Sequence, residues 1–290
     1  MRFRPITTIN AGEPAPGFDS KNGWLHSRSA IGLLVAFAAA LVAAFVLAPA
    51  ALLRPTFGAY DSEAKLQDAL GRALVEYWRN GTAALPTRLT TLVDYWFQWH
   101  AIKVAISALL VIVFALLTTA LWRRYLRARP GYAAVATAAT VLTVLAMGVL
   151  ILNIQATAVP LVALLPLLPG RTADGTLAQV LSEMREGLTE PASPHAGSPA
   201  LTVLLGEVER YHWVTVAVSA TIMVATVLAS AQFWNRRVTG DPGTTRVRFM
   251  HSTLGVIAAL TACLLLLMAG ASALAALEPA TTLLDVIGAG

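Results

Sequence analysis

Five stretches of the chain run apolar with no charge at their centres: residues 31–53, 101–121, 133–152, 213–233 and 253–277. Each is close to the about 20 residues that a helix needs to cross a hydrocarbon core, so the pattern predicts five transmembrane helices. Between the first and second stretches, Leu66, Ala69, Leu70, Ala73, Leu74, Tyr77 and Trp78 recur at steps of three and four, which predicts an amphipathic helix ended by Gly81. A second helix is expected to start after Pro86 and to run into the second span. Between the third and fourth stretches, Thr176 can cap a short helix whose apolar face is Leu177, Val180, Leu181, Met184 and Leu188. Residues 200–210 then read as a helix continuous with the fourth span. No strand-like alternation of any length occurs, so the fold class is all-α.

The third stretch does not stop where a span should. Residues 133–168 carry no charge, and one helix of that length would measure about 54 Å, beyond any bilayer. Asn153, Gln155 and Pro160 interrupt it, and Pro166 and Pro169 follow. A residue before proline is pushed out of the helical region, so the helix is expected to break within 153–160. The piece 156–168 should then lie under the neighbouring helices at the interface or re-enter the bilayer.

Charge orients this pattern. Arg2, Arg4, Lys21 and Arg28 precede the first span, Arg123, Arg124, Arg127 and Arg129 follow the second, and Arg236, Arg237, Arg246 and Arg248 separate the fourth from the fifth. All three groups fall on one side, and basic residues in short loops mark the cytoplasmic face. The reading is a five-span bundle over 31–277, with residues 1–30 a cytoplasmic N-terminal segment. Residues 54–100 and 156–212 would form a helical extracytoplasmic cap, and 278–290 a short outer tail. Trp96, Trp99 and Trp213 would sit at the outer interface, and Trp122 and Trp234 at the inner. The first span, with its long basic flank, is expected to be an uncleaved anchor rather than a signal peptide.

Composition agrees: 57% of residues are hydrophobic and 13% charged, against about 25% charged in a soluble domain. The net charge of +5 is spent on topology and leaves no nucleic-acid footprint. The Ala-, Val-, Leu- and Arg-rich composition suggests a bacterial cytoplasmic membrane. Small residues repeat every four positions in span 1 (Gly32, Ala36, Ala40, Ala44, Ala48), span 4 (Ala217, Thr221, Ala225, Ala229) and span 5 (Gly255, Ala259, Cys263), a spacing that lets helix backbones approach closely. Cys263 has no cysteine partner and reads as a small core residue.

Candidate chemistry is sparse. His100, Lys103 and Ser107 share one helical face, and Glu209 and His212 form a Glu-x-x-His pair. His100, Glu209 and His212 are the candidate metal ligands, and His100 and His212 the candidate haem or cofactor ligands. One such pair falls short of a di-iron site, and no cofactor is expected on this basis. No phosphate-cradling glycine loop exists, and no ionisable group lies deep in a span as a pump would need. The leading expectation is a non-catalytic scaffold or accessory subunit that presents its cap to an envelope or membrane partner or to a second copy. A redox or metal-binding protein using His100 and His212 is one alternative, and a permease for an apolar or lipidic substrate another.

Overall fold

The computed structural model describes residues 28–127, 131–168, 175–190, 192–239 and 245–288. Among them the chain forms nine α-helices and no strand: α1 (Arg28–Phe57), α2 (Glu63–Asn80), α3 (Thr87–Arg127), α4 (Tyr132–Ala158), α5 (Pro160–Leu164), α6 (Gly175–Thr189), α7 (Pro199–Thr239), α8 (Thr245–Leu277) and α9 (Pro279–Gly288). Five of these, α1, α3, α4, α7 and α8, are long and apolar enough to cross a membrane. Their outward faces carry large apolar side chains: Leu33, Leu47, Leu145, Leu228 and Leu267 are each more than half exposed. Apolar surface on this scale marks a membrane- or protein-facing side.

The long helices pair as two hairpins, α3 with α4 and α7 with α8, and α1 lies along α3. Contact between the hairpins is thinner and runs mainly from α4 to α7. Small residues of one helix meet larger ones of the other. Ala136, Ala139 and Ala146 of α4 pack with Leu110, Val113, Leu117 and Leu121 of α3, and Thr118 bonds Thr143 across the seam at 3.2 Å. In the second hairpin Gly255, Ala258, Ala262, Leu265, Ala269 and Ser272 form the buried stripe of α8. Thr215, Ser219 and Ser230 are the buried residues of the apolar stretch of α7, and Ser230 Oγ donates to Gly255 O at 3.0 Å.

These faces differ from those the small-residue spacing predicts. In α1 the buried residues are Ala30, Leu34, Ala38, Leu41, Pro49 and Leu53, while Gly32, Ala36 and Ala40 are exposed; only Ala44 and Ala48 of that stripe touch the core. In α7, Ala217, Thr221 and Ala225 point outward. In α8 only Gly255 of the predicted set is buried, and Cys263 is exposed rather than a core residue. Alanine is so frequent here that four-residue repeats occur on every face, and shape match with the neighbour decides which one is used.

A second core lies at one end of the hairpins. It joins α2, α5, α6 and α9 to the first turns of α3 and α7, with Leu53 from the end of α1. It is the tightest part of the molecule. Leu70, Leu74, Tyr77, Leu89, Leu164, Leu181, Met184, Leu204 and Leu283 are each less than 2% exposed. Ser62 opens α2 by accepting the amide of Lys65 at 3.4 Å. Gly81, at φ +63°, closes it with its own amide bonded to Trp78 O, a left-handed cap that glycine adopts without strain. The segment after α6 folds back so closely that a Cβ on Gly187 would stand 3.0 Å from His195 O. Thr176 falls inside the first turn of α6, which begins at Gly175. Residues 278–288, expected only as part of a tail, hold α9, whose Leu283 and Ile287 are completely buried.

The break after the third apolar stretch falls at its late end. Helix α4 continues through Asn153 and Gln155 to Ala158. Both polar side chains are buried inside the structure, and Asn153 Nδ2 donates back to Val149 O at 2.7 Å. The helix ends at Val159 (φ −138°, ψ 70°), the residue before Pro160, as the steric clash with the proline ring requires. The short α5 and a 3-10 turn at Leu165–Leu167 then bury Leu161, Val162, Leu164 and Leu165 in the end core.

Candidate functional site

The polar residues expected near the ends of the second and fourth spans do not form one site. His100 bonds Trp96 O through Nδ1 at 3.0 Å, and its ring lies 4.7 Å from the Trp96 ring. Ser107 is fully buried and donates to Lys103 O at 2.6 Å, the usual way a helical serine satisfies its hydroxyl. Lys103 Nζ sits over two rings, 4.9 Å from the centre of Phe45 on α1 and 5.4 Å from that of Trp99, so a cation in apolar surroundings is held by aromatic faces. On α7, Glu209 is exposed, and Arg210 pairs with Glu207 at 3.5 Å instead. His212 packs edge-on against Tyr211, and its Nδ1 is buried without a partner. Helices α3 and α7 share no extended contact, while α4 touches both. Among the described residues no three His, Cys, Asp or Glu side chains are grouped to hold a metal.

Trp122, expected in an interfacial belt, is buried and donates to Thr140 Oγ1 at 3.1 Å, so it fastens α3 to α4. Trp234 is exposed at the same end, with the Arg237 guanidinium 4.9 Å above its ring.

What the structure does assemble is a cavity of about 670 Å³ where the end of α1, the turn Gly58–Tyr60, the start of α2 and the first half of α3 meet. Its size is in the range of small-molecule sites. Phe57, Tyr60, Tyr95, Trp96 and Trp99 supply aromatic walls, Leu53, Leu66 and Leu167 aliphatic ones, and Arg54, Asp61 and Glu63 the charges. Phe57, Tyr60 and Tyr95 stand 5.2 to 6.4 Å apart between ring centres. Asp61 is held below the usual carboxylate range first by its hydrogen bond from Lys65, then by the charges of Lys65 and Arg54; the Lys65–Asp61 contact is 2.8 Å. Sequence reading singled out Trp96 and Trp99 as interfacial but missed this cavity. The available signal was an aromatic pair three residues apart, Phe57 and Tyr60, just past the end of one span, facing the Tyr95–Trp99 cluster at the start of the next.

A second polar group lies within the end core. Glu183 of α6 accepts from Trp78 Nε1 at 2.8 Å and from Gln179 at 2.9 Å, and pairs with Arg79 at 3.2 Å. Burial acts to raise its pKa, but Trp78, Arg79 and Gln179 outweigh that and hold the carboxyl below its ordinary value. This cluster ties α2 to α6 and is fully satisfied, so it reads as a structural clamp.

No family model matches the chain, and neither a curated protein nor a solved structure is significantly similar to it.

Proposed function

We propose that the protein is a non-catalytic, multi-pass membrane protein of the cytoplasmic membrane of a bacterium. In this reading it is a scaffold or accessory subunit whose end core is an extracytoplasmic cap presented to an envelope or membrane partner. The observation that carries this reading is the distribution of packing. The largest fully buried side chains, Ile151 excepted, lie in the end core, whereas the long helices set small residues of one against larger ones of the next and leave their outward apolar faces open. A rigid folded head on lipid-covered helices suits presentation of a surface.

Supporting its orientation, Arg123, Arg124, Arg127, Arg236, Arg237, Arg246 and Arg248 belong to the ends of the hairpins opposite that core. By the bias of basic residues toward the cytoplasm, the N-terminus is then inside and the C-terminus outside. The topology is checked in a Cys263→Ser background with single cysteines and an impermeant thiol reagent applied to intact cells. Arg127→Cys and Thr245→Cys are expected to stay unlabelled, while Arg72→Cys and Glu190→Cys, both at exposed positions, label at once. Ser193 is a poor reporter, being buried and bonded to Glu186 at 3.0 Å. The reverse labelling pattern would invert the orientation and put the head in the cytoplasm.

The scaffold role itself is tested by purifying the full chain in mild detergent after cross-linking in cells. A stoichiometric partner or second copy is expected, cross-linked through the head. A monodisperse, partner-free monomer under the same conditions would defeat the reading.

The permease alternative is favoured by one observation, the aromatic cavity at the head–span boundary. For the haem or metal alternative, no bond or ion pair joins His100, Glu209 and His212 among the described residues.

A further inference from the structure

The cavity at the end of α1 holds three groups whose bonding capacity is not met by a fitting partner among the described residues. Arg54 makes no ion pair or hydrogen bond with any described residue. Its field reaches Asp61, but that carboxylate is already bonded to Lys65. The Trp96 indole nitrogen is buried and has no acceptor. A buried N–H without a partner is destabilising, so an acceptor inside the cavity would relieve it. Glu63 pairs with no cation and accepts a side-chain bond from Gln67 alone, at 3.3 Å.

The surroundings specify the rest. Three aromatic rings, Phe57, Tyr60 and Tyr95, line the same space as Glu63. Aromatic faces beside a carboxylate are the surroundings that hold an ammonium group. Ala50, one turn before Arg54, and Leu53, next to it, line the cavity, and Leu52 beside them is 62% exposed. The cavity therefore lies where the apolar run of α1 ends, at the depth of lipid head groups in any bilayer that covers these helices.

We propose that this cavity binds the head group of a zwitterionic phospholipid, with the phosphate at Arg54 and the Trp96 N–H and the ammonium at Glu63 and the three rings. The acyl chains run down the exposed apolar face of α1. A free inorganic anion fits poorly, because most of the wall is aromatic or aliphatic. A head group whose only charge is its phosphate would be met by Arg54 but would leave Glu63 without a cation, whereas a phosphate–ammonium pair meets both signs. The proposal concerns binding and does not depend on the scaffold role.

The test uses the full chain, purified in detergent and stripped of lipid. It is titrated with dioleoylphosphatidylethanolamine, dioleoylphosphatidylglycerol or soluble glycerophosphoethanolamine. Bound ligand is counted by native mass spectrometry, and Tm is followed in parallel, since a ligand of the folded state raises it. The ethanolamine lipid is expected to bind about tenfold more tightly than the glycerol lipid. Arg54→Gln should weaken it about tenfold, the usual worth of a charge-assisted phosphate contact. Glu63→Gln should abolish the preference between the two lipids, and Trp96→Phe, which keeps a ring but loses the N–H, should weaken the ethanolamine lipid severalfold. Arg54 and Glu63 are exposed, so Tm without lipid should stay unchanged in both variants. Equal or tighter binding of the glycerol lipid would overturn the proposal. So would an unaltered affinity in Arg54→Gln, or soluble head group displacing lipid at equal concentration.

Discussion

Tyr77→Ala should lower the stability of the head by about 3–5 kcal/mol, the range for removing a large aromatic side chain from a core. Tyr77 is completely buried in α2 among Leu70, Leu74 and Leu204, and its hydroxyl donates to Ala200 O on α7 at 3.3 Å. It therefore joins the element between the first two spans to the element that begins the fourth. Most of the loss should come from the ring and little from the hydroxyl. The bond is long, so Tyr77→Phe should cost only about 0.5–1.5 kcal/mol. The long helices depend on their apolar faces and seams, not on this core, so they should remain folded. The expected picture in detergent is a two-step melt for Tyr77→Ala, with protease cleavage between α2 and α3 appearing at the lower step. If Tyr77→Ala melts in one step at the wild-type Tm, the head is not an independently packed core.

The second large effect is expected at the C-terminal end. Helix α9 buries Leu283 and Ile287, one turn apart on a single face, and is further held by Arg185 Nη2 donating to Ile287 O at 2.7 Å. Each Leu→Ala or Ile→Ala change in a core costs about 2–5 kcal/mol. The double variant Leu283→Ala/Ile287→Ala should therefore exceed the free energy with which a ten-residue helix can dock. The loss is capped at that point: α9 detaches while α8 stays. Hydrogen exchange should show amides 280–288 unprotected and those of α8 unchanged. Retained protection in α9 would mean that contacts other than these two side chains hold it.

Much of the architecture was legible in one dimension because it depends on length and period. A span needs about 20 apolar residues, and five stretches supply them. The amphipathic repeat from Leu66 to Trp78 and the glycine at 81 bound α2 at Asn80. Pro160 placed a break, because a proline ring excludes the helical conformation of the residue before it. Asn153 and Gln155 were poor guides to that break: a buried amide can bond the carbonyl one turn back, as Asn153 does, and leave the helix intact.

The packing faces and the cavity were not legible, for a related reason. Gly32, Ala36 and Ala40 are as small as Ala38, yet the buried line of α1 is Leu34, Ala38 and Leu41. What separates them is the shape of α3, which one helix's sequence does not contain. The hydroxyl line Thr215, Ser219 and Ser230 on α7 is likewise selected by the small-residue stripe of α8. His100 and His212 both sit near a span end, but which helices pack along each other is a matter of tertiary contact: α7 meets α8 and α4 far more than α3.

By itself, then, the sequence determined the helical class, the five membrane-length helices, the charge asymmetry between their ends and the place where the third one stops. These follow from local sterics and from the transfer of single residues between water and an apolar phase, which each segment settles alone. The tertiary structure decided which faces are buried, that α9 completes the head, and that Arg54, Glu63, Trp96 and the rings of Phe57, Tyr60 and Tyr95 surround one cavity. Those depend on which surfaces of different helices match in shape and charge, a property of pairs that no single segment carries.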